Sequence, residues 1–211
     1  MADKCGIVQK IYELASRPEE VMDCEHHDVK PHEVKQWLEC FANGIHYIYE
    51  TYNHLPGRFG IFNSVSNHLQ QETDHILLMD AEADTIVVTR NFIAKDIKNT
   101  RGLKAIFGNY NTGHRSDFTG PEMFTLLGVE EAYHSYQYQH MAHKYSIEDW
   151  QAGANQNNTG SDDYYKNNPI EKDASIVILK AADDLKFGLK NKARNDNNID
   201  IHAEQPTFSI K

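Results

Sequence analysis

Residues 119–144 read TGPEMFTLLGVEEAYHSYQYQHMAHK, and this stretch decides the fold. Thr119 and Glu122 have the T-x-x-E spacing of a capping box, and Pro121 stands in the first turn, where a missing N–H costs nothing. Many of the apolar residues that follow are three or four positions apart, which predicts one broad buried face. Only Gly128 interrupts the run, so we expect a helix of roughly two dozen residues, about 36 Å long.

The middle of this helix carries a group of ionisable side chains. Glu130 and His134 are four residues apart and share a face, while Glu131 is rotated by about 100° from Glu130. The residues from Glu130 to His134 resemble the H-E-x-x-H helix of zincin metallopeptidases, in which two histidines bind zinc and the glutamate activates the bound water. Glu130 stands where that family has its first histidine. The resemblance implies that Glu130 and His134 are metal ligands and that Glu131 is the catalytic base.

Two further patterns extend this resemblance. Gln137 follows His134 in the H-x-x-Q spacing of many small zincin-like proteins, which implies a supporting role for Gln137. Residues 167–174 read NNPIEKDA, similar to the N-P-x-E-x-D-A start of the second helix in gluzincin-type peptidases. That similarity implies that Glu171 is the third metal ligand. Strand, motif helix, loop and acidic helix follow one another in the order of this fold over residues 75–190.

Three segments upstream of the motif helix have the composition of strands. Residues 84–90 (DTIVVTR) are rich in β-branched side chains, and the resemblance places the edge strand beside the cleft here. Residues 75–80 (HILLMD) precede them across a turn at residues 81–83, which predicts a β-hairpin. Residues 58–65 predict a first short strand.

The remaining periodic segments predict helices. They cover residues 4–16, a long amphipathic stretch from Pro31 to about Leu55, residues 91–110, and residues 170–191. The packing side of the last helix is expected to consist of five apolar residues: Ile176, Val177, Leu179, Ala182 and Leu185. These elements predict an α+β, zincin-like domain over residues 1–195. Its helical N-terminal part is residues 1–56, its sheet and site helices are residues 57–195, and residues 196–211 form a tail.

In this prediction a small, mostly antiparallel sheet packs against the long motif helix and the second, acidic-ligand helix.

Lys and Arg total 21 against 31 Asp and Glu, and the resulting net charge of −10 argues against a nucleic-acid partner. No apolar run reaches the roughly eighteen residues of a membrane span, and the first residues lack the apolar core of a signal peptide. The three cysteines, Cys5, Cys24 and Cys40, are widely spaced and predict no disulfide framework. We expect a cytoplasmic protein, although export without a signal is compatible with the sequence.

Three other groups of potential ligands compete with this interpretation. Cys24, His26, His27 and His32 lack paired metal-ligand spacing and predict a polar loop. Glu72 and His75 repeat the E-x-x-H spacing, which raises a ferritin-like dimetal bundle as a rival that requires long helices around both motifs. His140 stands six residues beyond His134, the metzincin interval, but an unbroken helix carries it roughly 9 Å along the axis.

The predicted site has one imidazole and two carboxylates around a divalent ion, with Glu131 beside them. A site of this kind predicts hydrolysis of a peptide or protein substrate. Zinc is the expected ion, with manganese or ferrous iron as alternatives because carboxylates are harder ligands. His114, Tyr145 and Tyr165 are candidates for stabilising the oxyanion. The alternative interpretation is a catalytically inactive zincin-like fold that acts as a protein-interaction or effector module.

Overall fold

The protein is described here by a computed structural model that covers residues 6–22, 28–66, 72–98, 118–150 and 167–187. Its helices are α1 (Gly6–Ala15), α2 (Pro31–Tyr52), α3 (Arg90–Lys98), α4 (Gly120–Met141) and α5 (Pro169–Asp184), with 3-10 turns at Pro18–Glu20 and Ala142–Lys144. Its strands are β1 (Arg58–Phe62), β2 (Val65–Ser66), β3 (Glu72–Thr73), β4 (Leu77–Asp80) and β5 (Thr85–Thr89). The fold is mixed α+β, mostly helical with a small sheet, which confirms the predicted class.

The main sheet has three strands in the order β1-β5-β4. β1 runs parallel to β5, with Arg58 opposite Thr85, whereas β4 is antiparallel to β5. The sheet is therefore mixed rather than mostly antiparallel, because the predicted β4–β5 hairpin joins β1 through its second strand. The prediction that residues 84–90 form the edge strand is also wrong, since β5 is central and β1 and β4 are the edges. β2 and β3 form a separate two-stranded ladder that the sequence pattern did not predict.

Helix α4 is buried on all sides over its first half. Every residue from Met123 to Tyr133 is buried, so the predicted single buried face is too narrow a description. The helix packs against α2, against α5 and against β4. A helix enclosed by three elements needs apolar or satisfied side chains all round, and the polar residues in this stretch therefore need partners inside the protein.

Helices α2 and α4 cross at two glycines. A Cβ on Gly44 would lie 2.0 Å from the carbonyl oxygen of Thr125, and one on Gly128 would lie 2.1 Å from that of Phe41. No side chain fits at such distances, so the backbones approach closely only because both positions are glycine. Trp37 and Phe41 of α2 stack with ring centroids 4.8 Å apart and fill the core beside this crossing.

Helix α5 begins one residue earlier than predicted, and of the five predicted packing residues Val177 and Ala182 are buried. Asn168 is its N-cap and Pro169 its first residue. Ala174, Val177 and Ile178 are buried, whereas Ile176 is 64% exposed, so placing Ile176 on the packing side was wrong. The buried face of α5 also includes Ala181 and Ala182, and Ile176 lies on the opposite, solvent-facing side.

The structure overturns the dimetal-bundle rival. Glu72 lies in strand β3, and His75 is an exposed residue before β4 that stacks on Phe92. Neither residue lies on a helix, which that kind of site requires. Among the described residues, no helix combines the length and the apolar character needed to cross a lipid bilayer.

Several predictions concern residues outside the described ranges. They include the second half of the helix predicted over residues 91–110, the oxyanion candidates His114 and Tyr165, the ligand-rich residues Cys24, His26 and His27, and the tail. His32, the remaining histidine of that group, is exposed in the first turn of α2.

Candidate metal centre

The start of α4 is set by the capping box that the sequence predicts. The backbone N–H of Glu122 donates to the hydroxyl of Thr119 at 3.4 Å, and the N–H of Thr119 donates to the carboxylate of Glu122 at 2.7 Å. These reciprocal bonds satisfy two backbone donors that have no partner within the helix. The helix then runs without a break to Met141, which places Glu130, Glu131 and His134 at its centre.

The start of α5 is held against the same region. The side-chain oxygen of Asn168 accepts from the N–H of Ile170 at 2.8 Å, and its amide nitrogen donates to the carbonyl of Asp149 at 2.9 Å. Gln137 of α4 donates to the carbonyl of Ile170 at 2.9 Å and so ties the two helices together. Glu171, in the first turn of α5, consequently faces the middle of α4.

The three predicted ligands converge. Glu130, His134 and Glu171 each offer one ligand atom, and these atoms all lie within 4.8 Å of one another. Nε2 of His134 is 3.7 Å from Oε2 of Glu171. Two ligand atoms at about 2.1 Å from one ion are at most about 4.2 Å apart. The 3.7 Å between His134 and Glu171 already fits this limit, whereas a separation near 4.8 Å must shorten slightly by side-chain rotation. This group could hold a metal ion.

The imidazole of His134 is oriented by Gln137. Nδ1 of His134 lies 2.8 Å from Oε1 of Gln137. The amide nitrogen of Gln137 is occupied by the hydroxyl of Tyr145 and the carbonyl of Ile170. Its oxygen must therefore face the histidine, and His134 donates from Nδ1. The lone pair on Nε2 then points toward Glu171, which is the arrangement a metal-binding histidine needs.

A chain of polar contacts continues from Gln137 to the surface. The hydroxyl of Tyr145 donates to Asp173 at 2.6 Å, and Asp173 also pairs with Lys144. Burial raises the pKa of Asp173 but its bonds to Lys144 and Tyr145 outweigh this, so the net pKa is lowered and the carboxylate is ionised. Asp173 lies within the NNPIEKDA pattern, which by itself predicts no role for this residue. Asp173 is far from Gln137 along the chain, so sequence spacing does not predict that Tyr145 links the two side chains.

Glu131 occupies a different environment from the three ligands. Its side chain is buried and accepts a hydrogen bond from the backbone of Met79, in the edge strand β4. Its other oxygen, Oε2, has no hydrogen-bond partner in the part of the chain that the structure describes. A buried carboxylate oxygen without a partner is costly, and a cation or a proton relieves that cost.

The electrostatics of the group are dominated by its buried acids. Burial, helped by the charges of Glu130 and Glu171, raises the pKa of Glu131 to about 8 against the opposing effect of His134. Burial lowers the pKa of His134, but the three carboxylates outweigh it and the net pKa is raised. Three acids around one imidazole leave an excess of negative charge in a dry site. The donor set therefore fits a divalent cation.

Other sequence candidates fall outside this group. His140 is absent from it and contacts His54 instead, as its position on an unbroken helix predicted. Tyr145, an oxyanion candidate, reaches the group only through Gln137. A cavity of about 380 Å³ lined by residues that include Tyr49, Asn53 and Pro56 lies near the end of α2 and holds none of the ligands. The geometry of the ligand group, rather than the size of a cavity, marks this site.

Compared with known protein families, with curated proteins and with solved structures, the chain shows no significant match. The contacts around Glu130, His134 and Glu171 are therefore the observations that bear on function.

Proposed function

We propose that this protein is a zincin-like, metal-dependent peptidase in which Glu130, His134 and Glu171 hold the ion. The observation that carries the proposal is the convergence of these three side chains from two helices, with ligand atoms within 4.8 Å of one another. Zinc is the expected ion because the group resembles the two-histidine, one-glutamate set of zincins, with Glu130 in the place of one histidine. Manganese and ferrous iron are the alternatives. When bound, the ion supplies a Lewis acid that acidifies water and polarises a carbonyl.

Glu131 is the residue that would move the proton. It is adjacent to a ligand on the same helix, and one of its oxygens is not engaged by the described residues. With a pKa of about 8 it is mostly protonated at neutral pH. A cation that neutralises Glu130 and Glu171 lowers this pKa, because those two charges help to raise it. Glu131 would then accept a proton from the attacking water and pass it to the leaving amine.

Strand β4 supports a peptide as the substrate class. Within the described residues it pairs with β5 alone, so its other edge is unpaired, and it contacts α4. An extended peptide can add to such an edge through main-chain hydrogen bonds. Because the backbone of Met79 is bonded to Glu131, the peptide would meet the catalytic base at the same point.

The test combines metal analysis with peptide cleavage. We expect purified protein to cleave a fluorogenic peptide library and to lose this cleavage, together with about one bound transition-metal ion per chain, in His134→Ala and Glu171→Ala. Glu148→Ala, which removes an exposed glutamate, is the matched control and is expected to change neither. Glu131→Gln is expected to keep the metal and lose cleavage. Metal-free, fully stable native protein would contradict the proposal.

One observation favours the second candidate, an inactive fold that acts as an interaction module. The carboxylate of Glu131 is bonded to the backbone of Met79, a structural role that needs no metal. If Glu131 only stabilises the packing of β4 against α4, Glu131→Gln will lower the stability of the fold without affecting peptide cleavage. Cleavage that depends on both Glu131 and added metal would exclude this candidate.

A further inference from the structure

A second group of polar side chains surrounds His54, which lies just beyond the end of α2. The ring is buried, and its Nε2 lies 2.7 Å from the hydroxyl oxygen of Ser135. That hydroxyl donates to Oδ1 of Asp84 at 2.8 Å. Because the only hydroxyl proton of Ser135 goes to the carboxylate, Ser135 must accept from Nε2–H of His54. The neutral ring of His54 therefore has its lone pair on Nδ1.

That lone pair is aimed at a second histidine. Nδ1 of His54 lies 3.2 Å from Nε2 of His140, which is an exposed residue in the last turn of α4. The two rings are perpendicular, with centroids 5.1 Å apart. In this arrangement Nε2–H of His140 donates a hydrogen bond to Nδ1 of His54. Since both tautomers of neutral imidazole are accessible, His140 can carry its hydrogen on Nδ1 instead and turn a second lone pair toward His54.

The spacing of the two nitrogens suits a shared ion. Two imidazole nitrogens bound at about 2.0–2.1 Å to one tetrahedral ion lie about 3.3 Å apart. The observed 3.2 Å separation belongs to a hydrogen bond, so the ring of His140 must move aside for an ion to enter while the two nitrogens keep nearly the same spacing. The exposed ring of His140 can tilt to bring its lone pair onto the ion. Metal-binding histidines also donate their second N–H to a carboxylate or a similar acceptor, which the Ser135–Asp84 pair provides for His54.

We propose that His54 and His140 form a second metal site, specific for transition ions that prefer imidazole, such as Zn²⁺, Cu²⁺ or Ni²⁺, with water completing the coordination. The site shares no ligand with the group around His134. Its ligands differ in kind as well, since two imidazoles favour copper and nickel, whereas two carboxylates with one imidazole bring manganese within reach. The two sites can therefore be loaded and removed separately.

The test is a calorimetric titration of the full chain with Cu²⁺ or Zn²⁺, comparing variants. We expect His140→Ala to weaken one binding event by at least roughly tenfold, since the loss of a mere orienting partner already costs that much, while the event that depends on Glu171 is unchanged. His143→Ala is the matched control, because it removes another exposed histidine three residues further on. Differences between variants are decisive, since other histidines such as His46 beside Glu50 add weak binding.

A spectroscopic readout protects the test against changes in folding. The imidazole ¹⁵N resonances of His54 Nδ1 and His140 Nε2 are expected to shift on addition of Zn²⁺, also in Glu171→Ala, where the first site is lost. Equal binding by the native chain and His140→Ala would overturn the proposal. So would an equal loss in His143→Ala, or unshifted His54 and His140 resonances at saturating Zn²⁺.

Discussion

Nε2 of His134 lies 3.7 Å from Oε2 of Glu171, so the centre of α4 and the first turn of α5 meet through an imidazole and a carboxylate. This distance is too long for a hydrogen bond but suits two ligands of one ion. Gln137 links α4 to α5 beside this pair, because it contacts both His134 and the backbone of Ile170. The pair is thus held in place by bonds other than its own, as a preformed binding site requires.

Metal binding is expected to stabilise the fold. An ion that binds only the native state adds about 2.7 kcal/mol to the free energy of unfolding when its concentration is 100 times its Kd. We expect Zn²⁺ to raise the midpoint of urea denaturation of the native chain, measured by circular dichroism. In Glu171→Ala most of this increase should be absent, whereas in Glu148→Ala it should be kept.

Replacing Glu130 by histidine is expected to shift ion preference. Glu130→His supplies the second imidazole and removes one of the buried acids, so the site becomes softer and less negative. Zn²⁺ affinity relative to Mn²⁺ should rise by at least roughly tenfold, equivalent to about 1.4 kcal/mol. Competition titrations with a chelating dye measure the ratio. An unchanged ratio would show that Glu130 does not contact the ion.

Removing Gln137 is expected to weaken metal binding without removing a ligand. Partners that orient a ligating histidine typically contribute 10–100-fold to affinity, so Gln137→Ala should lose affinity on that scale. Tyr145→Phe, which deletes the hydroxyl that accepts from Gln137, should show a smaller loss in the same direction. Tyr138→Phe serves as the control, because the ring of Tyr138, like that of Tyr145, packs edge-on against Trp150. Native affinity in Gln137→Ala would disprove the orienting role.

The close crossing of α2 and α4 predicts a strong effect of one methyl group. Gly128→Ala places a Cβ about 2 Å from the carbonyl oxygen of Phe41, which forces the helices apart. Overpacking of this kind costs typically about 1–3 kcal/mol, and contact with backbone places the cost at the upper end or beyond. Gly6→Ala is the matched control, because a Cβ at Gly6 meets nothing within 4 Å. Urea denaturation of both variants should separate them clearly.

Asp96 is expected to make stability depend on pH. Its side chain is buried beside the indole N–H of Trp37, and burial raises its pKa from 3.8 to about 7. The native state therefore binds this proton more tightly than the unfolded chain. The associated stability is fully present below about pH 4 and is lost as pH rises to about 7. At about 1.4 kcal/mol for each pH unit, the loss amounts to at most about 4 kcal/mol.

Asp96→Asn removes this titration while keeping an oxygen that can accept from Trp37. We expect the variant to be more stable than the native chain at pH 8, with a flatter profile between pH 4 and 7. Denaturation midpoints measured across this range provide the comparison. Parallel profiles for the two proteins would show that Asp96 does not titrate between these limits.

Local patterns in the sequence predicted individual elements well. The Thr119–Glu122 capping box predicted where α4 begins, because its bonds form within one turn of chain. The turn at residues 81–83 predicted the hairpin of β4 and β5 for the same reason. Which strand is central could not be predicted from these patterns, since β5 is enclosed by its pairing with β1, a partner from elsewhere in the chain.

The sequence by itself determined the helices, the hairpin and the spacing of Glu130, Glu131 and His134 along one helix, because capping, turn chemistry and helical periodicity act over a few neighbouring residues. Only the tertiary structure decided that Glu171 meets His134, that Glu131 is bonded to β4, and that His54 meets His140. Those contacts join residues far apart in the chain. They depend on how closely whole helices approach, which at Gly44 and Gly128 is set by the absence of a side chain.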